Sequence, residues 1–537
     1  MTDPYQTPIV IPITEIMMVE VAAKLPIGSS PWWIARLTAQ MAAREPRLLR
    51  NRAYHRGEQD TWKLHSEAAR EAFGRTFSGL KANLAERIVE EAAQRLKVES
   101  FRVPVDGASS DATSIEGDTE AWRIWQANGM DSRAAIAHSE AIAIGECPVI
   151  VGPNPDDPRT PLITVEDPLQ VIVERDPANP RRRLAALKRW VDPDGTTVVI
   201  LYLPDRVEWW RGVLAQSGGY KGVSASSFEL GGMRWTLDAE RSGEPPVPDT
   251  IPVVLLVNKP RVDGSGQGEH EGVIPLLDAL NKTLLDLLTT SEFAAFPLRY
   301  AMGVSLDTEP DRPPESATDT ETADSIGRPT RSDAPIIAAI NRWLLIDDPD
   351  AKVGSLEAAA LEPYTKVIDS FVELGGTVTG TPYHLLLNGS RSVPMTGEAR
   401  KTAERPLEYK VERKEVDFGE AWEEVMRLAF LTVGDTARAS TGSEVRWRPA
   451  GAANETQHAD ALVKLGDLGV DFVTLLEMVP FTPEQIARIL ARKAAEPQPP
   501  EPAPPPAPEP PPPPPVTRRT VERDDLGRVA AVVETTA

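Results

Sequence analysis

Apolar residues recur along this chain in two rhythms. From about residue 27 to 150 they keep helical spacing: Trp32, Trp33, Leu37, Met41 and Ala42 follow Pro31 at a predicted helix start, and Leu84, Ile88, Ala92 and Leu96 step by four through residues 80–96. Two more helices are predicted over Thr119–Ala127 and residues 132–144. From Pro148 to about Val257 the period shortens. Apolar runs at 149–151, 162–165, 170–174, 197–203, 207–210 and 252–257 alternate with Pro, Asp and Gly, and Asp192-Pro193-Asp194-Gly195 has the make-up of a hairpin turn. The stretch predicts an antiparallel β element carried on a helical body.

A long helix is then predicted from Pro275, a residue suited to a first helical turn, to about Phe296, where Pro297 ends it. Leu276, Leu280, Leu284 and Leu288 run down one side, with Leu277 and Leu287 widening the stripe. About twenty residues of helix span about 30 Å. Residues 307–333, crowded with Asp, Glu, Thr, Ser and Pro, have little to bury and read as an extended insertion. Order is expected again at 336–346, with a second helix over 355–374. A Gly- and Pro-containing stretch, 375–395, precedes a charged helical pattern over 397–433, which Pro406 is expected to kink. A strand at 444–448 and helices at about 455–468 and 483–495 close the ordered part. Residues 497–515 are mostly proline, an extended spacer. Residues 517–537 read as a polar tail, so 497–537 is expected to be disordered. The fold class is α+β, mainly helical.

Length and charge narrow the function. At 537 residues the chain exceeds one compact domain. Acidic residues outnumber basic ones by 80 to 58, a formal net charge of −22, which repels nucleic acid and anionic membranes except at local basic patches. The single cysteine, Cys147, rules out an internal disulfide framework and any multi-cysteine zinc site. No apolar run approaches the roughly 18 residues of a membrane span, and residues 1–26 lack the features of a signal peptide. A soluble intracellular protein is expected.

No catalytic constellation stands out. The six histidines, His55, His65, His138, His270, His384 and His458, are scattered without ligand spacing and read as packing or surface residues. Gly264-Ser265-Gly266-Gln267-Gly268 superficially suggests a dinucleotide loop, but position 269 is Glu269 where a third glycine is needed, and residues 258–263 intervene after the strand. A flexible connector is the better reading. There is no Gly-Lys-Ser/Thr phosphate loop, so any ATPase would be another chain. Asp347-Asp348-Pro349-Asp350 lacks the rest of a calcium loop. In 397–433, Arg400, Lys401, Arg405, Lys410, Arg413 and Lys414 interleave with Glu398, Glu404, Glu408, Glu412 and Glu415, many at i,i+4 distance, as on a solvated face or a wet interior. No enzymatic activity, cofactor or metal is expected.

The order of the elements carries more information than any one of them. The strand at 252–257 leads to Asn258-Lys259-Pro260-Arg261 and the glycine-rich turn. Next come Ile274-Pro275-Leu276-Leu277-Asp278-Ala279-Leu280-Asn281, the long helix, and Phe296-Pro297-Leu298-Arg299-Tyr300 with Gly303. Tyr54-His55-Arg56-Gly57-Glu58-Gln59, Glu166-Asp167-Pro168, Gly380-Thr381-Pro382, Gly397-Glu398-Ala399 and Trp422-Glu423-Glu424-Val425-Met426 follow the same sequence of segments. Over about residues 27–495 this resembles the portal proteins of tailed bacteriophages, especially siphophages of actinobacterial hosts. Thr396 stands near where that family usually has Ser, and the segment matching 307–333 varies among its members.

The resemblance implies a ring, most often of twelve subunits, at the unique capsid vertex of the virion, assembled in the host cytoplasm. Double-stranded DNA would enter and leave through it. It implies an N-terminal arm (1–26), a wing (27–270), a first stem helix (271–296), a clip (297–354), a second stem helix (355–374) and a tunnel loop (375–395). A kinked helix and wing return strand (396–452), a crown (453–496) and the tail (497–537) would follow. The implied partners are further copies of the chain, the terminase large subunit, the major capsid protein, a scaffolding protein and a head–tail adaptor. Lys366, Arg391, Arg400 and Lys401 are the candidates for sparse phosphate contacts in the tunnel, and Leu276, Leu280, Leu284 and Leu288 for stem packing. The dimensions are compatible. Helices packed about 8–10 Å apart, about twelve to a ring, give a centre-to-centre diameter near 35 Å, and removing about 10 Å of helix thickness leaves a bore of about 25 Å. A non-channel scaffolding or adaptor protein is the alternative, and an unrecognised nucleic-acid enzyme a more distant one.

Overall fold

The computed structural model describes residues 22, 24–65, 67, 70–71, 77, 79–103, 118–214, 226–295, 299–302, 352–355, 360–387, 396–448, 455–470, 472–477, 483–495 and 516–536. The first helix, α1 (Ser30–Arg56), is capped by the Ser29 hydroxyl and ends at Gly57, whose φ of 67° is the left-handed conformation glycine adopts freely. After it come α2 (Leu84–Ala93), β1 (Val98–Arg102), α3 (Thr119–Ala127) and α4 (Met130–Ile144). The Asp118 carboxylate caps α3 by accepting from Glu120 N and Ala121 N, so that helix starts where the sequence places it.

The β-rich middle contains β2 (Glu146–Gly152), β3 (Leu162–Val165), β4 (Val171–Asp176), β5 (Asn179–Val191), β6 (Thr197–Tyr202), β7 (Val207–Leu214), β8 (Ser227–Leu230), β9 (Met233–Leu237) and β10 (Val253–Val257). Strands β4 to β9 form a six-stranded antiparallel sheet in the order β4-β5-β6-β7-β9-β8, and β10-β2-β3 form a second, three-stranded sheet. The predicted turn joins β5 to β6: Asp192 N–H donates to Thr196 O at 2.8 Å and Gly195 has φ 82°. One face of the larger sheet packs on Ile34, Leu37 and Met41 of α1 through Leu187, Val199, Leu201, Trp210 and Trp235. Cys147 is fully buried in β2, where burial pushes its thiol up, so it serves as packing.

Helix α5 (Ile274–Ala295) is followed by β11 (Arg299–Met302), which pairs antiparallel with β12 (Lys352–Ser355), then by α6 (Glu362–Thr379), the short α7 (Tyr383–Leu386) and α8 (Gly397–Thr432). Strand β13 (Glu444–Trp447) returns to pair with β1, and α9 (Glu455–Asp467), α10 (Phe472–Glu477) and α11 (Pro483–Ala495) follow. The largest core joins α2, α3, α4, the small sheet and α8, with Trp125, Trp422, Phe101, Phe418 and Phe430 fully buried in it. Both halves of the predicted class, helix and strand, are present.

Two expectations need correction. The second long helix covers Glu362–Thr379, not 355–374, because residues 352–355 are held as β12 and Pro363 sits in the first turn. Gly375 and Gly376 do not end it. Gly380 does, at φ 64°, with its N–H turned back to Gly376 O and Thr377 O and Pro382 following. The expected irregular stretch therefore begins five residues late. Second, residues 517–536 are not a structureless tail. The chain divides into two compact units, residues 1–486 and 487–537, and in the second, β14 (Thr517–Arg523) pairs antiparallel with β15 (Val529–Thr536). Helix α8 is one continuous 36-residue helix with Pro406 inside it. The insertion at 307–333 and the order expected at 336–346 lie outside the described residues.

Candidate functional site

Beyond β10 the chain is pressed against the end of α4. A Cβ at Gly266 would lie 1.9 Å from the Gly145 carbonyl oxygen, and one at Gly268 would lie 2.4 Å from that of Ala143, so the backbones approach to a distance only glycine permits. Asn258 N–H donates to Gly145 O at 2.9 Å, Gln267 N–H to Asn258 O at 2.9 Å, and the Arg47 guanidinium to Gly266 O at 2.8 Å. The glycine-rich run is a close-packed seam. It is not the flexible connector its composition suggests.

The seam buries one carboxylate among three lysines. Glu269 accepts from Lys414 Nζ at 2.7 Å and lies 3.0 Å from Lys259 Nζ and 3.6 Å from Lys410 Nζ. Lys414 Nζ also donates to Asn258 Oδ1. Burial alone would raise the Glu269 carboxyl, but the ammonium groups of Lys414, Lys410 and Lys259 outweigh it and hold the group well below the usual carboxylate range. Burial pushes Lys410 down to about 8 against the pull of Glu269, and it lowers Lys414 in the same way. Lys410 Nζ also donates to Thr379 O at 2.9 Å and Thr381 Oγ1 at 3.1 Å. A single ionic cluster thus ties the loop after β10, the C-terminal end of α6 and the middle of α8. The sequence carried a sign of it. Along α8 the buried positions Leu407, Val411, Phe418, Trp422 and Val425 form an apolar stripe, and Lys414 falls within that stripe.

Helices α5 and α6 are antiparallel neighbours: Leu276, near the start of α5, lies against Gly375, and the Thr290 hydroxyl, near its end, lies 3.4 Å from the Tyr364 hydroxyl. Of the four predicted leucines only Leu280 is buried, and Leu276, Leu284 and Leu288 are half-buried. The fully packed row is Leu277, Leu280, Asn281 and Leu285. The reason is geometric. A helix turns about 100° per residue, so strict steps of four drift about 40° each. Asn281 Oδ1 accepts from Ala82 N at 2.8 Å, and the Tyr54 hydroxyl donates to Asp278, so the start of α5 is fastened to α1 and the segment before α2. At Gly376 a Cβ would stand 2.6 Å from Thr381 O and 3.2 Å from Leu386 Cδ1. Gly376→Ala is therefore expected to cost about 1–3 kcal/mol by overpacking. Gly272→Ala, which meets nothing within 4 Å, should not clash. Equal melting temperatures for the two variants in a circular-dichroism melt would contradict the close approach.

Two of the predicted tunnel cations lie close together. Arg400 and Lys401 are exposed in the first turns of α8, after the Thr396 cap, with Arg400 Nε 3.5 Å from Glu404. Lys366 is exposed on α6 and pairs with Glu362 at 2.9 Å. Arg391 lies outside the described residues. No cluster of three or more His, Cys, Asp or Glu fit to hold a metal ion occurs among the described residues, and no helix there is long and apolar enough to cross a membrane.

Similarity to known proteins follows the same span. A family model described as phage portal protein, SPP1 Gp6-like, matches residues 34–499. The portal protein of Mycobacterium phage D29 is 29% identical over 391 residues, 70% of this chain and 70% of that protein. The portal protein of Mycobacterium phage L5 is 28% identical over 390 residues, again 70% of each.

Proposed function

Because this chain belongs to the SPP1 Gp6-like family of phage portal proteins, we propose that its copies stand side by side in a closed ring at one capsid vertex, with double-stranded DNA passing through the bore during packaging and ejection. The observation that carries this reading is the three-sided character of α6. One side, with Val372, Gly375, Gly376 and Thr379, is buried. A second, Val367, Leu374 and Val378, is apolar yet 43%, 51% and 61% exposed in the single chain. The third presents Glu362, Lys366, Asp369 and Glu373 at steps of four, three and four, three acids against one lysine. A neighbouring copy covers the apolar side, and the acidic side is left to face the hole. Tyr409 and Val416 on α8, 59% and 60% exposed and seven residues apart, give that helix a similar uncovered stripe.

An acidic wall suits a polymer that must slide. Each added Lys or Arg contact to phosphate strengthens binding and its salt dependence, whereas net repulsion with a few cations keeps the duplex centred. In this reading 27–270, with β13 returning to it, form the wing, α5 and α6 the stem, and 297–354 the clip that meets the terminase and later the head–tail adaptor. Residues 380–395 form the tunnel loop, α8 the helix behind it, and 453–496 the crown. The major capsid and scaffolding proteins contact the wing side during assembly. Lys366 and Arg391 supply sparse phosphate contacts. The double variant Lys366→Glu/Arg391→Glu is expected to slow or stall translocation in a packaging assay, and unchanged packaging removes both residues from the argument. Negative-stain images showing only lone subunits, free and in virions, would remove the ring itself.

A further inference from the structure

The hairpin of β14 and β15 lies beyond residue 499, where the family match ends. Its turn is well built: Asp524 N–H donates to Arg528 O at 2.8 Å, the Asp524 carboxylate accepts from Leu526 N and Arg528 N, and Gly527 takes φ 77°. Arg519 and Glu534 pair across the strands, and Val521 faces Val532. Yet every residue of both strands is exposed, including Val521, Val529, Val532 and Val533 at 47% to 56%. A lone two-stranded hairpin is marginal in water, and both of its outer edges offer unpaired backbone N–H and C=O groups to another strand. Such an element calls for a partner that supplies strands.

We propose that hairpins of neighbouring copies pair edge to edge in the ring, β14 of one copy against β15 of the next, so that the C-terminal ends form a continuous β collar. This rests on the ring proposed above. Charge selects the arrangement. Strand β14 carries Arg518, Arg519 and Arg523 against Glu522, a net of +2, while β15 carries only Glu534, a net of −1. Pairing β14 with β14 sets arginines against arginines, and pairing β15 with β15 leaves every β14 edge open. The β14–β15 contact is complementary in charge and repeats head to tail, as a closed ring requires. Over residues 516–537 four arginines balance four acidic side chains, so a DNA duplex gains little here from net charge.

Tethering supplies the concentration. The residues between α11 and β14, numbers 496–516, span at most about 75 Å by length, enough to reach a neighbour. Copies fixed in one ring see one another at an effective concentration on the order of mM, which helps a contact too weak to form between free chains.

The test uses full-length rings. Cys147 is buried, so added cysteines report alone. Chains with Thr520→Cys are co-expressed with chains carrying a single cysteine at one position from 531 to 535 in turn, oxidised as rings, and run on non-reducing gels. Because each chain holds one added cysteine, the hairpin's own cross-strand pair cannot close. A mixed dimer at one or two of those positions, absent from rings of Thr520→Cys alone, is the expected result. Intact rings in negative stain without any mixed dimer, or with Thr520→Cys chains joining one another instead, overturn the collar and leave the ring standing. Absence of rings defeats the ring reading first, and the collar with it.

Discussion

Glu269→Gln is expected to be among the most damaging single substitutions in the chain, costing about 3–5 kcal/mol of stability, the range seen when one partner of a buried ion pair is removed. The carboxylate has no exposed side-chain surface and, among the described residues, is the acid that pairs with Lys414, Lys410 and Lys259. Without it, three ammonium groups share a site with only the weaker pull of Asp417 on Lys414 among the described residues, and the buried two must shed protons or draw in water. The damage should spread beyond the site, because Lys410 also holds Thr379 O at the end of α6. The double variant Glu269→Gln/Lys414→Met isolates the coupling: removing the most buried lysine as well should return part of the loss, giving a double-mutant interaction energy of about 1–3 kcal/mol. Urea midpoints followed by tryptophan fluorescence provide the measurement. A Glu269→Gln midpoint equal to that of the unmodified chain would mean that the lysines are satisfied without the carboxylate, contrary to the geometry.

That cluster also marks where the sequence was legible and where it was not. Local signals were readable: an Asp cap begins α3 at Thr119, Pro275 opens α5, and an Asp-Pro-Asp-Gly turn joins β5 to β6. They act within a few residues and do not depend on the rest of the fold. Glycines misled wherever their role was tertiary. Gly375 and Gly376 look like helix breakers, yet they lie inside α6: at Gly376 the Thr381 carbonyl leaves no room for a side chain, while a Cβ at Gly375 would just touch Leu276. Gly266 and Gly268 look like a flexible loop for the same reason. The lysines of α8 match a solvated face in composition, and only the position of Lys414 among buried apolar residues hints otherwise. Its partner Glu269 is 145 residues away, and nothing local connects the two. The C-terminal hairpin was missed because its strands carry more polar than apolar residues, nine against six, and bury neither face within the chain.

Acid should weaken the fold well before ordinary carboxylates titrate. Burial holds the His138 imidazole down to about 3 and that of His270 to about 4, against 6.5 for a free side chain. His138 Nε2 accepts from Trp422 Nε1 at 2.9 Å, its ring stacks on Phe418 with Trp447 beside it, and the pull of the Leu96 backbone does not offset its burial. His270 Nε2 donates to Asn51 O at 3.0 Å, and the weaker pulls of Glu271 and Glu269 do not offset its burial. Both are bases whose folded values are depressed. Between 6.5 and those values the unfolded chain binds protons that the folded chain refuses. The stability they contribute is complete above pH 6.5 and is lost as pH falls toward 4 and then 3. Each histidine adds a slope that grows to about 1.4 kcal/mol per pH unit as the unfolded ring becomes fully protonated, so the pair should remove about 3 kcal/mol between pH 6.5 and 5, less what Glu415, raised to about 7 by burial, returns by taking up a proton in the folded chain. Glu269 adds its own loss only below about 4.5, where the unfolded carboxyl begins to protonate while the folded one stays ionised. His138→Gln keeps an acceptor for Trp422 but cannot titrate, so its stability at pH 5 should lie closer to its value at pH 7 than in the unmodified chain, with the slope nearly halved. Urea titrations at pH 7, 6 and 5 measure this directly. Parallel pH profiles for the two proteins would show that His138 takes up its proton without unfolding the core, and its sealed aromatic setting would then have to be abandoned.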